Sequence, residues 1–308
     1  MNPSPLPPSL AFIERDWLSS NHLIGRDGDS AVVVDTGYGS RSELTVALVE
    51  QALDGARLDR IINTHAHSDH VGGNAALKAR HGCRIQVPAG SAEALCAHDD
   101  SRLQYGAMGQ SCPPFVPDDT YRAGDRLPIG GLEWEALGSP GHDNDSLALW
   151  EPTHRLLLSG DALWENGFGL LFPAFYGEPA FAQQAATLDL IASKPVDLVL
   201  PGHGPMFRDA PAAIERARRR LDYLHANPQR HGWLALKVAL SFLLLDRRAM
   251  PLDTLATDFG QLELIVRINE QFFGQAPAHL SATIRDELLA AGVARIDGSN
   301  LVPATATA

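Results

Sequence analysis

Along the chain, short apolar runs alternate with segments of helical period. Ser30–Asp35 (SAVVVD), Leu58–Thr64 (LDRIINT), Arg84–Val87, Leu132–Leu137, Ser146–Trp150, Arg155–Ser159 and Val196–Leu200 (VDLVL) read as strands. Each concentrates apolar residues in a few positions bounded by turn formers. Trp17–Gly25 reads as a further strand, joined to Ser30–Asp35 by the turn at Gly25–Gly28. Between them, Ser42–Leu53 carries Leu44, Ala47, Leu48 and Leu53 at helical spacing, and Gly73–His81, Ser91–His98 and Glu178–Ser193 also read as helices. Strands that alternate with helices predict an α/β architecture. Residues 1–9 are a Pro-rich lead-in. The stretch Asp99–Gly124 has no clear period and holds Pro113, Pro114 and Pro117. A loop of that length is either a functional lid or hides unread elements, and a short helix around Leu103–Met108 is the one element placed in it.

After Phe207 the pattern changes. Helices are expected at 210–226, 231–246, 251–258, 262–273 and 278–291, and Ala294–Val302 reads as two short strands about a Gly-Ser turn. This predicts two domains, residues 1–208 and a helical, winged-helix-like cap over residues 209–308. From residue 230 on, seven Lys/Arg face eight Asp/Glu, so packing or homodimerisation suits the cap better than DNA binding. The most apolar run, Gly232–Leu245, is shorter than the ~20 residues a membrane span needs, and Lys237 interrupts it.

Composition narrows the function classes. With 308 residues, 45% hydrophobic and 20% charged, the chain can build a sizeable core. The formal charge of −12 argues against a general nucleic-acid binder. Cys83, Cys96 and Cys112 form no CxxC and no disulfide framework, and the N-terminus has neither a basic nor an apolar leader region. A reducing, cytoplasmic location is therefore expected.

The chemistry concentrates in Thr64-His65-Ala66-His67-Ser68-Asp69-His70, directly after a predicted strand. Three imidazoles and a carboxylate within six positions suit Zn²⁺, and equally iron or manganese. Side chains alternate along a strand, so 65 and 67 can point one way while the turn beyond aims 69 and 70 at a second ion. Pro140-Gly141-His142, Ser159-Gly160-Asp161 and Pro201-Gly202-His203-Gly204 each set a candidate ligand beside a glycine and next to a predicted strand.

The series HAHSDH (65–70), GH (141–142), SGD (159–161) and PGHG (201–204), preceded by Asp35-Thr36-Gly37, closely resembles the metallo-β-lactamase-fold hydrolases. The resemblance covers about residues 10–208. It implies a four-layer αβ/βα sandwich with a dinuclear metal site at one edge. By that resemblance His65, His67 and His142 hold one metal, Asp69, His70 and His203 hold the other, and Asp161 bridges them. Two divalent ions then provide a bridging hydroxide as nucleophile and polarise the attacked oxygen. Asp69 and Asp161 moderate the charge, and Asp69 can also relay a proton.

Within that family, His67 stands where the redox diiron branch has Glu, and 308 residues leave no room for the large insert of the nuclease branch. A glyoxalase II-like hydrolase of thioesters, esters or lactones is the remaining expectation, with a small-molecule substrate. Only three lysines occur, Lys78, Lys194 and Lys237, which counts against a glutathione-gripping surface. Leu163–Tyr176 gathers Trp164, Phe168, Leu170, Leu171, Phe172, Phe175 and Tyr176, and reads either as a loop anchored in the core or as an apolar substrate wall. Two alternatives stay open: a nuclease of the same fold, and a regulatory protein that keeps a vestigial site. Of the other histidines, His22 is placed where it could reach the cleft.

Overall fold

The structure is a computed structural model. It describes residues 5–177 and 179–304, without the side chains of Ala174 and Tyr176. The chain divides into two compact units. The first comprises residues up to Leu103 and Cys112–Leu221; the second comprises Gln104–Ser111 and the chain from Asp222 on.

The first unit is built on two sheets. One has six strands in sequence order: β1 (Leu10–Ile13), β2 (His22–Asp27), β3 (Ser30–Val34), β4 (Arg57–Ile62), β5 (Arg84–Pro88) and β6 (Asp119–Tyr121). The β1–β3 strands are antiparallel, and β3–β6 run parallel through helical crossovers. The other has five strands, β7 (Arg126–Ile129), β8 (Leu132–Gly138), β9 (Leu147–Glu151), β10 (Leu156–Gly160) and β11 (Leu198–Pro201). Here β7–β10 are antiparallel and β11 lies parallel to β10.

The sheets face each other through one core. Leu23, Val32, Val34, Ile62 and Tyr121 of the first sheet meet Leu127, Trp134, Leu149, Leu158 and Leu200 of the second. Helices Ser42–Leu53, Asn74–His81 and Pro179–Ala192 belong to this α/β unit. The αβ/βα expectation therefore stands.

Several boundaries differ from the sequence reading. The segment Trp17–Gly25 is not one strand: 17–19 form a turn, and β2 starts at His22. Three strands of the first unit were unread. β1 adjoins the Pro-rich lead-in, β6 has three residues, and β7 contains Pro128, which keeps it at the sheet edge. The stretch 99–124 holds a helix at Asp100–Leu103, a 3₁₀ turn at Gly106–Met108 and β6. Glu178, read as the start of a helix, lies outside the described residues.

In the second unit, helices Pro228–Arg247, Leu255–Asp258, Glu263–Phe272 and Pro277–Ala290 precede a hairpin, Ala294–Asp297 with Asn300–Pro303. Met250–Pro251 adds a third, short strand to that hairpin. The apolar run 232–245 lies in the helix Pro228–Arg247 and buries Leu236, Leu240, Leu243 and Leu244. Among the described residues, no helix is long and apolar enough to cross a membrane.

Candidate metal centre

The histidine motif leaves β4 at Ile62, passes through irregular backbone and enters a short helix, Ser68–Val71. Strand alternation is therefore not what aims His65 and His67. Both lie in the connecting loop, and His67 is the residue just before the helix. Backbone bonds hold this loop against the rest of the site: Thr36 N–H donates to the His70 carbonyl at 2.8 Å, and Leu147 N–H donates to that of Thr64 at 2.9 Å. Asp161 and His203 follow the adjacent ends of β10 and β11, where Gly202 N–H donates to the Gly160 carbonyl at 2.7 Å. A Cβ at Gly202 would lie 2.2 Å from Asp161 Oδ1, so only glycine lets this backbone pass so close to the carboxylate.

All seven proposed ligands come together. Donor atoms of His65, His67 and His142 lie within 4.8 Å of one another, as do those of His65, His70 and Asp161, and those of Asp69, His70 and His203. Six of the seven are buried and Asp69 is half-buried.

The outer bonds fix which ring nitrogens face inward. His142 Nδ1–H donates to the Leu170 carbonyl at 2.6 Å, which leaves its Nε2 lone pair toward His67 Nδ1, 2.8 Å away. His70 Nδ1–H donates to Asp35 Oδ2 at 2.8 Å. The Thr64 hydroxyl donates to the same oxygen at 2.8 Å, so it can only accept from His65 Nδ1–H, at 3.0 Å. His65 and His70 are thus left with Nε2 turned inward, and both Nε2 atoms are buried without a hydrogen-bond partner. Orphaned buried acceptors next to two carboxylates fit a cation, which would satisfy lone pairs that nothing else satisfies.

The electrostatics agree. Burial drives the His65 pKa well below that of free imidazole, and brings those of His67 and His142 down to about 4. These three rings are neutral, the form that ligates metals. Burial also penalises a charged His70, but Asp35, Asp161 and Asp69 outweigh it and raise its pKa well above the usual range. Burial opposes ionisation of Asp161 and Asp69 too; His70 and His203 overcome it and keep both carboxyls ionised. The negative potential that favours a proton on His70 equally favours a divalent cation.

Several contributors escaped the sequence reading. Asp35, noted only as part of a turn motif, is a central anchor: besides His70 and the Thr64 hydroxyl, it accepts Thr64 N–H at 2.8 Å. Its DTG context was the available signal. Asp143 is buried, its pKa is raised by that burial, and it stands 3.9 Å from His67 Nε2. Trp17 lies parallel to the His203 ring, with centroids 5.6 Å apart. In the 163–176 segment, Phe168 and Leu171 are core residues, while Trp164 and Phe172 lie against candidate-ligand imidazoles. The Tyr176 side chain lies outside the described residues. His22 joins none of the donor groups found among the described residues. It is fully buried and bonded to Arg15, and its pKa is lowered to about 3, first by burial and then by that guanidinium.

Comparison with known proteins agrees with this geometry. The family model of the metallo-β-lactamase superfamily matches residues 15–203. A hydroxyacylglutathione hydrolase from Rhodospirillum rubrum is 35% identical over 124 residues, 40% of this chain and 41% of that protein. The chain thus spans about two-fifths of the length of the first curated relatives it matches. An acyl-coenzyme A thioesterase, MBLAC2, from Gallus gallus is 26% identical over 66% of this chain and 80% of its own. Among solved structures, a metallo-β-lactamase family protein from Thermus thermophilus shares the fold with a TM-score of 0.56 at 21% identity, covering 96% of this chain and 99% of that one. A metallo-β-lactamase from Cronobacter sakazakii does so with a TM-score of 0.58 at 18% identity, over 71% of this chain and 92% of its own. The family match over more than half the chain, on this fold and around this donor set, makes the chain a member of the metallo-β-lactamase superfamily.

Proposed function

We propose that the chain is a dinuclear metal-dependent hydrolase, with Zn²⁺ as the first candidate metal and a thioester as the first candidate substrate class. The observation that carries this reading is the set of three overlapping donor groups, His65/His67/His142, His65/His70/Asp161 and Asp69/His70/His203. His65, His67 and His142 would hold one ion, Asp69, His70 and His203 the other, with Asp161 between them. Two divalent ions bound there would activate a water and polarise the attacked carbonyl.

The chain's own residues do the rest. Asp35, Thr64 and the Leu170 carbonyl fix ring tautomers from outside. Asp69 is half-buried, with a carboxylate oxygen 3.1 Å from His203 Nε2, so its carboxylate is placed to take up and pass on a proton at the mouth of the site. Phe172, against His67 and His142, excludes water from that side.

A thioester is favoured over other acyl compounds because both named relatives point to that bond: a hydroxyacylglutathione and an acyl-coenzyme A are each thioesters. The test is a substrate panel of acyl thioesters, lactones, phosphodiesters and RNA, with metal content measured on the same sample. The expected result is about two ions per chain and thioester turnover that His67→Ala abolishes. Turnover of RNA alone, or full activity of the variant, would refute the reading.

A further inference from the structure

Trp17 leaves 59% of its surface exposed although one face lies along the His203 ring, 5.6 Å between centroids and 5° from parallel. Trp164 stands across both rings. It is 5.5 Å from Trp17 at 71°, and 5.5 Å from His203 at 75°. Its indole N–H donates to Asp161 Oδ1 at 3.3 Å. The two indoles therefore meet in a corner directly against two of the candidate ligands.

The corner is held by the same backbone that carries those ligands. Just after Trp17, Ser20 N–H donates to the Asp69 carbonyl at 2.9 Å, and Asn21 N–H donates to that of Gly202 at 2.7 Å. A large indole left in water at the end of a pinned loop is not explained by core packing, which would bury it. The other end of the cluster is walled differently. Phe172 lies 6.1 Å from His67 and 5.9 Å from His142, with Phe175 a further 6.0 Å on.

We propose that Trp17 and Trp164 are specificity residues that receive a flat, uncharged aromatic group on the acyl side of the substrate. Trp17 offers a face for stacking and Trp164 a perpendicular wall, the two geometries aromatic rings favour. Because the corner touches His203 and Asp161, a ring held there sits close to the reacting carbonyl. Aromatic acyl groups one or two bonds from that carbonyl are then selected over small aliphatic ones. This inference rests on the hydrolase reading above.

The test measures product binding, which needs no turnover. Phenylacetate and acetate carry the same carboxylate and differ by the ring. Their affinities for the zinc-loaded full chain are compared by calorimetry or competition, together with Trp17→Ala and Trp17→Phe. The unaltered chain is expected to prefer phenylacetate. Trp17→Ala is expected to cut the phenylacetate/acetate affinity ratio about two- to tenfold, the usual worth of one aromatic contact, while Trp17→Phe retains most of it. No preference in the unaltered chain, an unchanged ratio in Trp17→Ala, or an equal loss in Trp17→Phe overturns the proposal. The two readings fail separately: a chain that hydrolyses no thioester loses the proposed function and can still show the ratio, whereas an active thioesterase without it loses only the corner.

Discussion

Asp35→Asn should disable the metal centre without touching a ligand. Asp35 holds three donors at 2.8 Å: Thr64 N–H, the Thr64 hydroxyl and His70 Nδ1–H. It does so from a left-handed backbone, φ 58°, which asparagine adopts more readily than other non-glycine residues. The substitution therefore leaves the turn unstrained and changes the carboxylate alone. Asn can still accept Thr64 N–H through its oxygen. Its amide nitrogen then faces His70 Nδ1–H, donor against donor. The ring relieves this by moving its proton to Nε2, the nitrogen that should hold the metal. Outer carboxylates of this kind are worth about 10–100-fold in metal affinity. Losing two bonds at a buried charge also costs about 2–4 kcal/mol of stability, roughly 5–15 °C in the Tm of a unit this size. Competition with a zinc-binding chromophoric chelator reads the first effect and thermal unfolding of the apo-protein the second. Asp35→Asn binding zinc within about threefold of the unaltered chain would refute the tautomer reasoning, since an effect below the usual range leaves the proton where it was.

Gly169→Ala would place a Cβ 2.7 Å from His142 Nδ1 and 2.9 Å from the Asp161 Cβ, so it should displace two ligands at once. Metal stoichiometry by mass spectrometry should fall while the circular dichroism of the sheets is kept; full occupancy would show that the loop absorbs the methyl. Burial raises the Cys83 thiol to about 11, whereas Cys96 is exposed. A raised pKa means less thiolate, the reactive form, at any pH below it. At pH 8 a disulfide reagent should therefore label Cys96 rapidly and Cys83 only on unfolding, and peptide mapping that finds Cys83 labelled in the native chain would contradict its placement.

How much of this was legible from the residues depends on how far each signal travels along the chain. The cluster of candidate donors was readable because donor chemistry is carried by residue type: HxHxDH, GH, SGD and PGHG name the side chains that the fold gathers. Burial, which the apolar runs encode directly, placed β3, β4, β8, β9, β10 and β11 to within a few residues. What failed was local structure made by distant partners. β6 is three residues long and exists because β5 pairs with it. β7 carries a proline and is a strand only beside β8. Asp35 reaches His70 across thirty-five positions, and Trp17 meets His203 from the other end of the unit. Neither pairing leaves a periodic trace.

The segment Gln104–Ser111 folds with residues beyond Asp222 rather than with its neighbours in sequence. Ala107 and Met108 are buried, and Gly109 lies against Leu243 and Leu262. This interleaving sets the order of events at the ribosome. The segment emerges more than a hundred residues before its packing partners begin, so at ordinary elongation rates it waits about 5–20 s with its apolar side chains uncovered. Assembly of the second unit therefore has to wait until the chain beyond residue 222 has been made. A nascent chain stalled before residue 222 should expose 104–111 to chaperones and proteases that the finished protein resists.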